Sequence, residues 1–392
     1  MKVVIKSGSG EVPLQLEGLH YESGRPVRIF IIGGLIIDIR EIPGLSGVEK
    51  NLFLAPGLID NQVNGFADVD FSGDHLTPEG ILKATEAILR EGVTTFIPTL
   101  ITNSHENLLR NFSILHEACK KYPLVDSCVP GFHLEGPYIS PEDGFRGCHF
   151  AEFVRKPDWN EFNEYFKASG GRIIQITIAP EIQGAIEFIK RCTENGIIVA
   201  LGHTNANAEQ INKAVENGAS LSTHLGNGCA NMINRHNNPI WPQLDNDKLT
   251  ATVIADGNHL LPEEIRVFLK AKGKGRMIIT SDVTYLAGMP PGHYTFSGMN
   301  VILKDDGTLF NAEQNVLAGA SFPLTKGVEN IMRFTGASLR DAIDMASADV
   351  ASIYNLKDRG QLLPGKKADI IIFSREEGKM KIKQVYKNGI QH

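Results

Sequence analysis

Cysteine is scarce in this 392-residue chain: Cys119, Cys128, Cys148, Cys192 and Cys229 are the full set, and no two are spaced as Cys-x-x-Cys. That excludes a disulfide-stapled framework and a cysteine-ligated zinc site. No uninterrupted apolar run approaches the roughly 20 residues needed to cross a bilayer. The opening segment, Met1 to Gly8, lacks the apolar stretch and cleavage site of a secretory leader. The expected setting is therefore reducing and cytoplasmic, with no membrane partner. Positive charge is not in excess either: 39 Lys and Arg against 45 Asp and Glu leave a net charge of -6. A nucleic-acid binder usually carries a basic surface, so no nucleic-acid partner is expected. With 42% hydrophobic and 21% charged residues, disorder and fibrous repeats are excluded as well.

What is present is an alternation of strand-like and helix-like segments with legible junctions. Thr77-Pro78 reads as an N-cap followed by proline at the first helical position. Ile81, Leu82, Thr85, Ile88 and Leu89 recur at helical spacing, Gly92 stops the helix, and Val93–Ile97 follows as a β-branched strand. The cycle repeats: strand 173–179, helix near 181–195, strand 197–201, helix near 208–217, then strands at 221–224, 252–255 and 277–280. Apolar strands alternating with amphipathic helices imply a parallel sheet covered on both faces. No G-x-G-x-x-G follows the first strand, which counts against a dinucleotide-binding open sheet. The roughly 250 residues that a (β/α)8 barrel requires fit the middle of the chain. The fold class expected is α/β: a TIM-like barrel over 56–355, with a small β-sandwich domain from 1–55 and 356–392. That terminal domain is read from β-type runs at 27–32, 35–39, 369–373 and 381–386, neither end being large enough to stand alone.

Four polar residues stand just after apolar strands, where a parallel α/β barrel displays its active site. Glu135 ends Val129-Pro-Gly-Phe-His-Leu-Glu, His203 ends Ile197-Ile-Val-Ala-Leu-Gly-His, His224 ends Leu221-Ser-Thr-His, and Asp282 ends Met277-Ile-Ile-Thr-Ser-Asp. Alone, each is an ordinary turn or helix-cap residue. Together, one carboxylate and two imidazoles suit a zinc-type site with an open position for water. The second carboxylate is then free to move protons.

These residues sit inside a longer resemblance. Pro56-Gly-Leu-Ile-Asp60, His133-Leu-Glu-Gly-Pro137, Gly202-His-Thr-Asn205, Thr223-His-Leu225, Ala255-Asp-Gly257 and Ser281-Asp282 occur in the order found in N-acetylglucosamine-6-phosphate deacetylases of the amidohydrolase superfamily. Leu317-Ala-Gly-Ala-Ser321 and Gly365-Lys-Lys-Ala-Asp369 are similar to that family's late motifs, so the resemblance runs from about Leu54 to Phe373. It implies hydrolysis of an N-acetyl amide on an amino-sugar phosphate, with Glu135, His203 and His224 as metal ligands. Asp282 would be the catalytic acid/base, with His149 beside the acetamide. Asn227, Gly228, Arg235 and His259 match the positions that hold the sugar phosphate, and the arginine often comes from the second subunit of a homodimer. Many superfamily members open the barrel with His-x-His for a second metal; this chain has Gln62-Val-Asn64 instead. Neutral amides are poor ligands for a zinc-type ion beside imidazole and carboxylate, so the resemblance implies one divalent ion, zinc. The loop Gly226–Trp241 departs from the family's usual Tyr-Asn-Ala-Met type, which leaves the sugar open. Two alternatives stand beside this reading: another superfamily hydrolase acting on a cyclic amide or a different N-acetylhexosamine, and a non-catalytic relative.

Overall fold

A computed structural model of the chain describes residues 12–45, 51–296, 299–311, 316–317 and 319–392. The segment read for a secretory leader, residues 1–8, and Ala318 of the Leu317–Ser321 motif lie outside them. Eight parallel strands form the central sheet: β1 (Leu58–Val63), β2 (Val93–Ile101), β3 (Phe132–Glu135), β4 (Ile173–Ile178), β5 (Ile198–Leu201), β6 (Leu221–Ser222), β7 (Thr250–Ile254) and β8 (Met277–Thr280). Neighbours follow chain order, and a parallel bridge between Val63 and Val283 brings the two ends of the sheet together. This is the expected (β/α)8 barrel, nearly closed. No helix among the described residues is long and apolar enough to cross a membrane.

The strands are buried because helices lie between them in sequence and cover them in space. Local chemistry starts those helices. Thr77 Oγ1 accepts the Gly80 N–H at 3.0 Å ahead of the helix Pro78–Arg90. Asp158 caps Trp159–Ala168, and Asn207 caps Ala208–Glu216 with Gln210 returning the bond to the Asn207 N–H. A helix unread in the sequence, His105–Lys121, starts at Ser104 and buries Leu108, Phe112 and Leu115.

Inside the barrel, beneath the strand ends, lies a layer of polar side chains. His133 bridges Thr99 Oγ1 at 3.2 Å and Thr177 Oγ1 at 2.8 Å, and Thr177 meets Thr223 at 2.7 Å. Burial pushes the His133 pKa down to about 4, so the ring is neutral and satisfied by hydroxyls rather than by a counter-charge. Beyond β8 the chain adds a four-stranded antiparallel sheet (Gly292–Phe296, Met299–Leu303, Leu309–Asn311, Val316–Leu317) that the sequence reading did not anticipate. It packs Val301, Leu303 and Leu309 around Leu286.

The two ends of the chain meet in one seven-stranded sheet. Its order is Ile390–Gln391, Lys379–Lys387, Ile370–Glu376, Leu52–Pro56, Leu14–His20, Pro26–Ile32 and Leu35–Glu41. Pairing is antiparallel except where Leu14–His20 runs parallel to Leu52–Pro56. Asp369, in the late Gly-Lys-Lys-Ala-Asp motif, forms a fully buried ion pair with Lys387 at 2.7 Å and accepts the Asn388 N–H. Contacts divide the chain into two compact units. One is drawn from residues up to Asp60, Ile88–Thr95 and Leu324–His392, and the other from Asn61–Ala87 and Phe96–Pro323.

Candidate active site

The barrel unit carries every residue of the expected site. Glu135 closes β3, His203 and His224 follow β5 and β6, and Asp282 follows β8. His203, His224 and Asp282 adopt left-handed backbone, with φ of 51°, 30° and 52°. Non-glycine residues occupy that region at a cost and concentrate at functional sites. Here three of the four strand-end groups share it.

Three ligand-type atoms converge. Glu135 Oε1 lies 3.0 Å from His224 Nε2 and 3.3 Å from His203 Nε2, and the two imidazole nitrogens are 3.1 Å apart. His203 Nδ1 faces the Phe145 carbonyl at 3.1 Å, and since a carbonyl only accepts, that nitrogen carries the hydrogen. In the neutral ring His203 Nε2 is then a lone pair aimed at His224 Nε2. Two ring nitrogens and a carboxylate oxygen at these distances require a shared proton or a cation between them. The electrostatics agree. Burial alone would raise the Glu135 pKa, but the hydrogen bonds of His203 and His224 hold it well below the usual range. Burial would lower His224, yet the Glu135 carboxylate holds it above the ordinary histidine value. An N₂O donor set of one carboxylate and two imidazoles fits a zinc-type divalent ion. His149 offers a further ligand atom: its atom and those of Glu135 and His203 all lie within 4.8 Å of one another.

Gly228 lets the next loop approach these rings. Its φ is 59°, and a Cβ there would fall 2.9 Å from His203 Nδ1 and 3.1 Å from His224 Cε1. His149 is buried with its ring 4.3 Å from that of His203, and its Nδ1 sits 2.7 Å from Thr102 Oγ1. Burial, reinforced by His203, pushes the His149 pKa down to about 3, so it is neutral.

Asp282 is gripped by the two amides that stand where a His-x-His pair would be. Gln62 Nε2 donates to Asp282 Oδ1 at 2.9 Å and to Glu135 Oε1 at 3.0 Å; Asn64 Nδ2 donates to Asp282 Oδ1 at 2.7 Å. Burial first, then the charge of Glu135, pushes the Asp282 carboxyl up to about 6.

All of this opens into a cavity of about 630 Å³. Asn227, Gly228 and His259 line it. Among the described residues Asn227 Nδ2 is buried without a hydrogen-bond partner, an amide donor left open at the cavity wall. His259 Nδ1 is fixed by Asp256 Oδ2 at 2.8 Å. Arg235 is placed differently: it is exposed, it does not line the cavity, and its carbonyl accepts the Trp241 Nε1–H. Sequence reasoning missed Asp70 and Ser72 on the cavity wall and Thr102 behind His149, and it gave no role to Asp256, which stands behind His259. Asp256 stood in the quoted motif Ala255-Asp-Gly257, three residues before His259.

A sequence model described as Amidohydrolase family matches residues 53–391. The chain therefore belongs to the amidohydrolase family, a metal-dependent class, and the buried Glu/His cluster could hold such an ion. Within that family it is a relative of the N-acetylglucosamine-6-phosphate deacetylases. It is 34% identical over 335 residues to the Bos taurus enzyme of that name, covering 81% of this chain and 79% of the relative. It is 30% identical over 351 residues to an N-acetylgalactosamine-6-phosphate deacetylase of Escherichia coli O157:H7, covering 87% and 89%. The crystal structure of N-acetylglucosamine-6-phosphate deacetylase from Pasteurella multocida superposes with a TM-score of 0.85 at 26% identity, covering 97% of this chain and all of that one.

Proposed function

We propose that this chain hydrolyses the N-acetyl group of an amino-sugar phosphate, converting N-acetylglucosamine 6-phosphate to glucosamine 6-phosphate and acetate. The observation that carries the reading is the convergence of Glu135, His203 and His224 beside an Asp282 held by two neutral amides. Glu135, His203 and His224 would hold a divalent ion, zinc by the donor set, which when bound would supply Lewis acidity toward an amide carbonyl and toward water near neutral pH. One ion is expected, because the neutral amides of Gln62 and Asn64 are poor ligands for a zinc-type ion beside imidazole and carboxylate.

Asp282 moves the proton. Its Oδ1 is occupied by Gln62 and Asn64, so Oδ2 takes the proton of the attacking water and hands it to the departing nitrogen. Protonation there is required, since an amide anion is a very poor leaving group. His149, with Nδ1 on the Thr102 hydroxyl, turns Nε2 to the cavity and donates to the acetamide oxygen as its charge builds. Asn227, the Gly228 backbone and His259 hold the phosphate side. Arg235 of the partner subunit joins them in a homodimer, a reading supported by the exposed loop that also presents Met232 and Trp241. A reducing, cytoplasmic setting accords with five free cysteines.

The N-acetylgalactosamine-6-phosphate deacetylase among the relatives, together with the altered loop Gly226–Trp241, favours one second reading: the same chemistry on the galacto epimer. Acetate release from N-acetylglucosamine, N-acetylgalactosamine and N-acetylmannosamine, each with and without 6-phosphate, tests both. Fastest turnover is expected with N-acetylglucosamine 6-phosphate. Acetate from none of the six would end the deacetylase reading, and equal rates with and without phosphate would end the roles of Asn227, His259 and Arg235.

A further inference from the structure

One wall of the cavity takes no part in the chemistry above. It is formed by Asp70 and Ser72, in the turn that leaves the short hairpin Gly65–Phe66 and Val69–Asp70. Asp70 Oδ1 accepts the Ser72 N–H at 2.9 Å, and among the described residues no side-chain donor meets the carboxylate. Ser72 Oγ accepts the Ile101 N–H at 3.0 Å, which leaves its own hydrogen to give. Ile101 lies opposite Glu135 in the β2–β3 register, so the turn is pinned one strand from the proposed metal ligand. On the eight-stranded ring β2 stands four strands from β6, whose loop carries Asn227 and Gly228. Through Ser72 the turn is thus tied to the strand opposite the one whose loop carries Asn227 and Gly228.

In a substrate whose acetamide sits at Glu135, the hydroxyls flanking the amide-bearing carbon are the ring hydroxyls nearest that point, and Ser72 is tied to Ile101, the register partner of Glu135. A carboxylate oxygen and a serine hydroxyl side by side accept from, and donate to, such a hydroxyl. We propose that Asp70, assisted by Ser72, binds a ring hydroxyl adjacent to the acetamide-bearing carbon. The inference rests on the deacetylase reading and names the group that reads the ring. Burial pushes the Asp70 carboxyl up to about 6 against the backbone N–H groups of Ser72 and Gly73, consistent with a carboxylate that no side-chain donor meets.

The test is a cycle of enzyme and substrate changes, using acetate release from N-acetylglucosamine 6-phosphate and from its 1-deoxy and 3-deoxy analogues. Asp70→Asn keeps the Oδ1 acceptor for Ser72, so the turn persists and only the acceptor facing the cavity changes. A hydrogen bond to a charged group gives an expected fall in kcat/KM on the parent of roughly 10- to 100-fold. Metal content and Tm should be unchanged, and on the analogue lacking the bound hydroxyl wild type and variant should be equal. Wild type alone should prefer the parent over that analogue by a similar factor, a comparison that needs no variant to fold. A variant that slows all three substrates equally, or none, overturns the proposal while leaving the deacetylase reading intact. A wild-type protein that releases acetate from none of them overturns both.

Discussion

Exchanging Asp282 for asparagine replaces one oxygen in a side chain whose position is already determined. Oδ1 accepts from Gln62 at 2.9 Å and from Asn64 at 2.7 Å. An asparagine can turn its own Oδ1 to both donors and keep both bonds, leaving its Nδ2 where Oδ2 was. The site keeps its shape and loses its capacity to take a proton. General acid–base catalysis contributes roughly 10²- to 10⁴-fold, which is about 3 to 5 kcal/mol of barrier at about 1.4 kcal/mol per tenfold. The loss should fall on kcat, with metal content per chain and the unfolding transition close to wild type. A merely structural Asp282 would show the reverse pattern: a loss of about 1.5 to 3 kcal/mol for a charged hydrogen bond, visible in denaturant unfolding. Acetate release, metal analysis and urea melts on one preparation separate the two. Turnover within about tenfold of wild type, or metal lost in step with activity, would refute the acid/base assignment.

Three further outcomes are expected. Lys387→Met strands the Asp369 carboxylate, 2% exposed and now short of its 2.7 Å partner, and should destabilise the protein by about 3 to 5 kcal/mol. The double variant with Asp369→Asn should recover part of that, and a single-variant loss under about 1 kcal/mol in urea would contradict the burial argument. Gly228→Ala pushes a Cβ to 2.9 Å from His203 Nδ1 at a φ of 59°. It should weaken metal retention roughly tenfold in chelator competition, as disturbing the groups around metal ligands generally does; an unmoved chelator midpoint would count against a crowded ligand shell. Thr102→Val removes the hydroxyl on His149 Nδ1, so kcat should drop about tenfold, less than the roughly 10²- to 10³-fold of a lost oxyanion donor because His149 itself stays. Thr102→Ser should restore it, and a serine variant as slow as valine would show that packing, not the hydrogen bond, matters there.

The strand ends were readable because a parallel barrel sends its strands' carboxyl termini to one face. An apolar run followed by Glu135, His203, His224 or Asp282 carries fold and site in the same few letters. The helix stops and caps were readable for a similar reason: Thr77 and Gly92 act through backbone chemistry local to them. Other parts were hidden for physical reasons. Asp70 is held by an Asx-type turn to Ser72, which has no period. Thr102 touches His149 across 47 positions, a pairing that only the closed barrel creates. The four short strands between Gly292 and Leu317 lie among Gly and Pro residues that read as loop. His105–Lys121 was legible and passed over: Ser104, Leu108, Phe112 and Leu115 carry the cap and the spacing. The motif Gly365–Asp369 pointed to a residue that matters, but Asp369 serves the terminal sheet through Lys387 rather than the chemistry.

That terminal sheet imposes an order on how the protein is made. Strand Leu52–Pro56 finds its antiparallel partner only in Ile370–Glu376, more than 300 residues later. During vectorial synthesis the early strands therefore emerge with one edge unpaired until Ile370–Glu376 has left the ribosome. An exposed apolar edge is a template for pairing with other chains, and closing so long a loop is entropically slow. Translation that stops anywhere before residue 370 leaves Leu54 and Ala55, fully buried in the finished sheet, without their cover. Incomplete chains are thus marked for aggregation or proteolysis at their amino-terminal end, far from where synthesis failed.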